Sequence, residues 1–352
     1  GAWYDPSDSA TVFTDEAGTI SAVENDSVRL LLDKRLGLTL GAELITNGSF
    51  DDSSSWITQS NWTISGGVAT STGINSSGRN ISQNNVFTVG KTYRVSFDVL
   101  NIAPRTEVLA CRYTSRAIAD NTLFVLSSGD ETPFKVTATI KADSTDFILT
   151  TSAASGGDEP FSIDNITIKE LPGNHATQAD IAKAPILRKT AGGLWYLEFD
   201  GVDDFLASGA ITLSQPATVV FGAVQRENAV APRFITLGNP AIFENNNISL
   251  SAGIILNSND FNPLNPLGVA FVVSGILDGA TSRLRINSGT SDDGSGDAGN
   301  EDGSLISIGA ASSGSKPTPM DFYGSVIIDR KLAGADLSNA EQWATNKSGA
   351  PS

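Results

Sequence analysis

One cysteine, one histidine and one methionine occur in 352 residues. With Cys111 alone, no intrachain disulfide can form, so the fold depends on its apolar cores and on any metal it holds. A Ser-His-Asp triad or a zinc site would have to be built around a single histidine, His175. Basic residues are scarce. There are 23 Lys and Arg against 39 Asp and Glu, for a formal net charge of −16. Residues 41–171 carry 14 acidic and 9 basic side chains, and the rest of the chain carries 25 and 14. Neither part offers a basic face to a nucleic-acid backbone, and anionic membranes are disfavoured for the same reason. No apolar run is long enough for membrane insertion, and no secretory signal is visible. The sequence starts at Gly1 rather than at methionine, which fits either a residue left from a tag or removal of a longer N-terminal part.

What is present points to strands. The chain has 34 Gly, 14 Pro and abundant Ser, Thr and Asn, with 40% hydrophobic residues. That composition suits many short strands joined by turns, and the length suits two domains. Tyr93, Val95, Phe97 and Val99 share one face of a strand, as do Phe134, Val136, Ala138 and Ile140. In 161–168 the apolar set Phe161, Ile163, Ile166 and Ile168 slips phase at Asp164-Asn165, which predicts a β-bulge. Further strands are expected at 194–199, 217–224, 268–274 and 322–328. Ser338 and Glu341 form a capping-box pattern that predicts a short helix from Leu337 to Lys347.

One motif is cut in two. Trp3-Tyr4-Asp5-Pro6 opens it and Asp33-Lys34 closes the first half. The second half resumes at Gly173-Asn174-His175-Ala176-Thr177-Gln178 and continues through Phe199-Asp200-Gly201-Val202-Asp203-Asp204-Phe205. Joined, the halves resemble the W-x-D-x-S-D, D-K-S-G-N-G-N-H-A-T-Q and F-D-G-x-D-D-Y/F-L run of concanavalin A-like, laminin-G-like lectin domains. Arg35-Leu36-Gly37 stands where the Ser-Gly of that run would follow Lys34. The segment between has its own ends, Asn47-Gly48-Ser49-Phe50-Asp51 and Phe161-Ser162-Ile163-Asp164-Asn165-Ile166-Thr167-Ile168. These resemble the first and last strands of jelly-roll carbohydrate-binding modules of the galactose-binding-like type. The expected fold class is therefore all-β. Two β-sandwich (jelly-roll) domains are expected, with 41–171 inserted into a loop of the sandwich formed by 1–40 and 172–352, and a short C-terminal helix. Adjacent termini let such a domain sit in a loop without stretching its host.

Several residues could carry chemistry. The resemblance implies a structural calcium at the junction of the insert's first and last strands, with Asp51 and Asp164 as ligands. The alternative is an ordinary polar strand edge. The acidic stretch 287–303 imitates calcium-loop positions with Asp293, Ser295 and Asp297, but position 12 is Ser304, so it is no EF-hand. A solvated mobile loop is the other reading. Asp200, Asp203 and Asp204 follow a strand, where Gly201 permits a tight turn that gathers three carboxylates. For sugar binding, Trp62 alternates with Ile64 and is expected in the core. Trp56, after three serines, is expected to be exposed. Trp56, Arg79, Arg112 and Tyr113 are the candidate ligand contacts. Hydrolases of the concanavalin-like fold carry paired carboxylates along one strand, often as E-x-D-x-x-E, and no such run occurs here.

The resemblance implies a non-enzymatic glycan-binding protein similar to structural proteins of tailed bacteriophages or gene-transfer particles. Such a protein would be made in a bacterial cytoplasm, would sit on the virion surface, and would recognise host cell-surface polysaccharide. Its partners would be that glycan and other virion subunits, and homo-oligomers are compatible with the sequence. Two alternatives stay open: a capsid or tail decoration (cement) protein, and a polysaccharide depolymerase or its accessory domain.

Overall fold

Alternating apolar residues and turn-rich connections produce antiparallel strands throughout, and the fold is all-β. Among the described residues the single α-helix is Gly334–Ser348, near the end of the chain. The computed structural model describes residues 1–351 apart from 72–79, 103–108, 113–121, 127–132, 154–159, 228–232, 239–240, 245–246, 252–266, 288–293, 297–301, 312–313 and 316. At 101–102, 109–112, 122–126, 151–153, 241–244, 247–251 and 294–296 it describes the backbone alone. The chain divides into two compact units, Gly1–Leu38 with Gly173–Ser352, and Thr39–Pro172.

The discontinuous unit is a sandwich of two sheets. One runs, in spatial order, Ile186–Lys189, Trp195–Asp200, Pro319–Ile328, Ala217–Gln225, Ala270–Leu277, Ser282–Ile286 and Gly294–Gly296, with Ala2–Tyr4 also pairing with Pro319–Ile328. The other contains Val12–Phe13, Leu30–Leu31, Ala176–Thr177, Leu206–Ala207, Ser307–Ile308 and Ile235–Thr236 in its path. Leu31, shortly before the excursion into the second unit, pairs with Ala176, shortly after it. Between the sheets lie Leu197, Phe199, Val219, Phe221, Phe271, Ile308 and Phe322, all essentially inaccessible to water.

The opposite face of the larger sheet is partly covered by the helix. Leu337, Ala340, Trp343 and Ala344 pack on Val220, Val272 and Ile276. Gly222 makes the approach feasible, because a Cβ there would stand 2.9 Å from that of Ser348. The helix starts earlier than the capping-box pattern predicts. Ala333 is its N-cap, with no side-chain cap, and Ser338 lies in its interior. Glu341 does not reach back to a cap. It is buried against the sheet, accepting from Ser274 Oγ at 2.8 Å and pairing with Arg285 at 3.4 Å. Gly349, at φ 70°, ends the helix by donating its N–H to Thr345 O.

The inserted unit is also built from two sheets. One is Phe134–Lys141, Thr92–Ile102, Phe161–Glu170, Val68–Ser71 and Trp62–Ser65, and the other is Thr122–Leu126, Leu109–Arg112, Phe147–Ala153, Asn80–Gln83 and Ile57–Thr58. Tyr93, Val95, Phe97 and Val99 are all buried, as the period-two pattern requires, and so is Trp62. The register of Phe161–Glu170 against Thr92–Ile102 shifts between Asp164 and Thr167, with exposed Asn165 at φ 55°, so the phase slip is a bulge. The incoming and outgoing chains pair with each other: Gly41 N donates to Glu170 O at 2.8 Å, and Leu44 N to Ile168 O at 2.9 Å.

Candidate functional site

The two halves of the split motif meet at a buried carboxylate. Asp33 Oδ1 accepts the backbone N–H groups of Trp3 (2.8 Å) and Arg35 (2.9 Å), and Oδ2 accepts that of Asn174 (2.9 Å). His175 Nδ1 accepts the N–H of Asp33. Tyr4 donates its hydroxyl to Asn174 O, and burial followed by the Asp33 charge pushes the Tyr4 hydroxyl well above its ordinary pKa. His175 thus stands in a structural joint. Asp5 has a related part. Lys347 from the helix and Lys34 both reach it, at 3.0 and 3.3 Å. Burial alone would raise the Asp5 carboxyl, but hydrogen bonds from Ser7 and Lys347 and the two lysine charges outweigh it and hold it below its ordinary value.

The expected ligand contacts fare differently. Trp56 is buried, not exposed. The serines before it make a turn, with Trp56 N bonded to Ser53 O, and this returns the indole to the core. There it packs on Phe50 at 4.9 Å and Phe147 at 6.4 Å, and Nε1 donates to Asn47 O at 2.9 Å. Arg79 and Tyr113 lie outside the described residues, as do Asp293 and Asp297, and Arg112 is described by its backbone alone. Asp51 is exposed and takes Ser49 Oγ at 3.0 Å. Asp164 takes the N–H of Asn165 at 2.7 Å and stands opposite Asp98, which itself accepts from Asn165 Nδ2.

Among the described residues one carboxylate trio can converge on a cation: Asp200, Asp203 and Asp204, with ligand oxygens within 4.8 Å of one another. Gly201, at φ 80°, makes the turn, and a Cβ there would strike Pro319. Asp204 is buried and accepts Asp200 N at 2.9 Å. Burial lifts its carboxyl to about 6; the Asp200 hydrogen bond opposes this, and the charges of Asp200, Asp203 and Glu198 add to it.

A further group of charged and aromatic side chains lies on the helix-bearing face of the larger sheet. Sequence reasoning missed it. Glu198 and Asp321 are cross-strand partners, placed outward because Leu197, Phe199, Met320 and Phe322 alternate into the core. Arg188 Nε meets Glu198 at 2.9 Å, and Arg226 bridges Glu198 (3.1 Å) and Asp321 (3.3 Å). Beside this row Tyr196 and Tyr323 lie with ring centroids 5.3 Å apart; Tyr196 is half-buried and Tyr323 is buried. Tyr323 lies on this face as the neighbour of inward Phe322, and it sits at a register shift. Gly222 pairs with Gly324 and Ala223 with Phe322, so Tyr323 is the extra residue of a bulge. Gly324, at φ 137°, lets the bulge lie under Trp343, whose ring would be 2.9 Å from a Cβ there. Burial raises Asp321 to about 6; Arg226 pulls it down and Glu198 adds to the rise. Burial, then the Asp321 charge, also raises both tyrosine hydroxyls. A signal existed in the sequence: Tyr196 and Glu198 alternate with Leu197 and Phe199, as Asp321 and Tyr323 flank Phe322.

No family model and no curated protein matches the chain. Among solved structures, the N-terminal CBM22-1-CBM22-2 tandem domain of Paenibacillus barcinonensis Xyn10C aligns with 82% of this chain and 98% of its own, at 11% identity and a TM-score of 0.32. A truncated AlyQ with CBM32 and alginate lyase domains aligns with 87% of this chain and 98% of its own, at 11% identity and a TM-score of 0.27.

Proposed function

We propose that the protein is a non-catalytic glycan-binding protein and that the Tyr196–Tyr323 surface contacts the sugar. The observation that carries this reading is the half-buried ring of Tyr196, backed by the buried ring of Tyr323, beside a row of Arg188, Glu198, Arg226 and Asp321. Pyranose C–H faces stack on rings, while carboxylates and guanidinium groups take and give hydrogen bonds to hydroxyls. The row is charge-balanced, which favours neutral over strongly ionic sugars. In the same reading the glycan is a host cell-surface polysaccharide, the protein sits on a phage virion beside other subunits, possession of many copies raises avidity, and calcium braces the insert near Asp51 and Asp164. The test is a glycan array with protein clustered on beads, scored for binding and for chain length. Clear binding that Tyr196→Ala weakens about tenfold, with an unchanged melting curve, supports the reading. Shortened polysaccharide would establish the depolymerase alternative. Binding to purified capsid or tail subunits and to no polysaccharide would establish the decoration alternative.

A further inference from the structure

A second recess lies on the same discontinuous unit, formed by the segments around Gln215, Asp278 and Asp302. It is a cavity of about 340 Å³ lined by Gln215, Pro216, Asp278, Gly279, Ala280 and Asp302. That volume falls at the lower end of the range of about 300–1,000 Å³ common for small-molecule sites. Its walls are fixed. Gln215 Oε1 accepts the N–H of Gly279 at 2.8 Å, tying two of the segments together. Asp302 accepts the N–H of Gln215 and the hydroxyl of Ser214, both at 3.2 Å, and the Leu213–Gly303 bridge anchors that side. Asp278 accepts from Lys331 Nζ and from Thr281 Oγ1, both at 2.7 Å. The Lys331 hydrogen bond, then that of Thr281, holds the Asp278 carboxyl below its ordinary value, so it is ionised at neutral pH.

The lining decides the ligand class. It holds no aromatic ring, so stacking contributes nothing, and Gly279 and Ala280 leave the floor open to polar contacts. Asp278 is paired with Lys331, which lies outside the lining, and Asp302 accepts from neutral groups, Gln215 N and Ser214 Oγ, so the recess retains excess negative charge. Carboxylates accept hydrogen bonds and donate none when ionised. A sugar carboxylate or sulfate would meet like charge, whereas an ammonium group with neighbouring hydroxyls would find acceptors on two sides. We infer that this recess is a subsite for a cationic amino sugar, held by Asp302 and Asp278 and separate from the Tyr196–Tyr323 surface.

Saturation-transfer NMR and calorimetry on the full chain test this, with glucosamine, N-acetylglucosamine and glucuronate as probes at pH 6 and low salt. Glucosamine is expected to bind weakly, in the millimolar range, at least about fivefold better than N-acetylglucosamine, with no binding of glucuronate. Asp302→Asn should weaken glucosamine binding about fivefold, and Ala280→Leu should block it by filling the recess while leaving both carboxylates in place. Tyr196→Ala should leave glucosamine binding unchanged, which separates this subsite from the surface proposed for glycan contact. Equal binding of glucuronate and glucosamine, insensitivity of glucosamine binding to Ala280→Leu, or no glucosamine binding at tens of millimolar would each overturn the inference. So would calcium occupying the recess to the exclusion of glucosamine.

Discussion

His175 Nδ1 accepts the backbone N–H of Asp33 at 2.9 Å, across 142 positions of sequence. Those positions contain the entire inserted unit. The carboxylate of the same Asp33 takes three more N–H groups, so the host sandwich closes over the excursion with its own hydrogen bonds.

Asp33→Ala should therefore destabilise the host unit strongly. It leaves three N–H groups without their acceptor, and each buried orphan costs about 1–3 kcal/mol. A loss of about 3 kcal/mol or more is expected in urea unfolding followed by tryptophan fluorescence, to which Trp3, Trp195 and Trp343 contribute from the host. Thermal unfolding of the separate Thr39–Pro172 fragment gives the reference for the other unit. A loss under about 1 kcal/mol would show the joint to be dispensable.

Excision of 39–172 with a short Gly/Ser bridge should leave a cooperatively folding host. The Leu31–Ala176 pairing already brings the ends together, and closing a short loop adds little entropic cost. The excised fragment should also fold alone, because it has its own pair of sheets. Calorimetry of the two pieces checks both statements, and non-cooperative melting of both would defeat the division.

Trp56→Ala should act on stability before it acts on binding. Truncating a buried aromatic that packs on Phe50 and Phe147 costs about 3–5 kcal/mol. A lower melting temperature of the insert is the expected result. Unchanged melting with lost glycan binding would return Trp56 to the role of an exposed contact.

The stability of the host unit should rise on mild acidification. Asp204 and Asp321 have folded-state values of about 6, above those of the unfolded chain. The folded form therefore binds protons first, and stability increases as pH falls from about 7 to about 4, by about 1–3 kcal/mol for each carboxylate at most. Asp5 works in the opposite sense: its contribution is present above the ordinary carboxylate range and is lost as pH falls through its lowered value. Asp204→Asn should flatten the rise between pH 7 and 4 in denaturant midpoints, and a flat wild-type profile would count against the assignment.

Calcium removal should lower the melting temperature of the insert. A ligand at a hundredfold excess over its Kd adds about 2.7 kcal/mol to the state that binds it. Asp164→Ala should abolish the chelator effect while Asp204→Asn leaves it intact. If Asp204→Asn alone abolishes it, the cation belongs to the trio at Asp200, Asp203 and Asp204. Identical curves with and without chelator, from metal-loaded protein, exclude a stabilising calcium.

Much of the fold was legible in the residues. Alternation at 93–99 marked a buried face, and the slip at Asp164-Asn165 marked a bulge, because side-chain direction in a strand has a strict period. The exposure of Trp56 was misread because a polar run before an indole describes the turn and not where the turn delivers the ring. The Ser338–Glu341 pattern misplaced the helix start because Glu341 is held by Ser274 and Arg285 on strands far away in sequence. Alternation marked Tyr196, Glu198, Asp321 and Tyr323 as facing away from the core, but not that they lie together, because Arg188, Tyr196 with Glu198, Arg226, and Asp321 with Tyr323 come from four stretches far apart in sequence whose pairing the residues alone do not give.

The ladder between Gly41–Leu44 and Ile168–Glu170 has a consequence for inheritance. Because the insert ties its own ends together and the host ties its ends through Asp33 and His175, each lineage of residues answers to a different constraint. The insert is a cassette. Recombination could replace it with any domain whose termini are neighbours, and the host would keep its register. Among descendants of such exchanges, Asp33, Asn174 and His175 would persist while everything between them turned over, and the Tyr196–Tyr323 surface of the host would pass through unchanged.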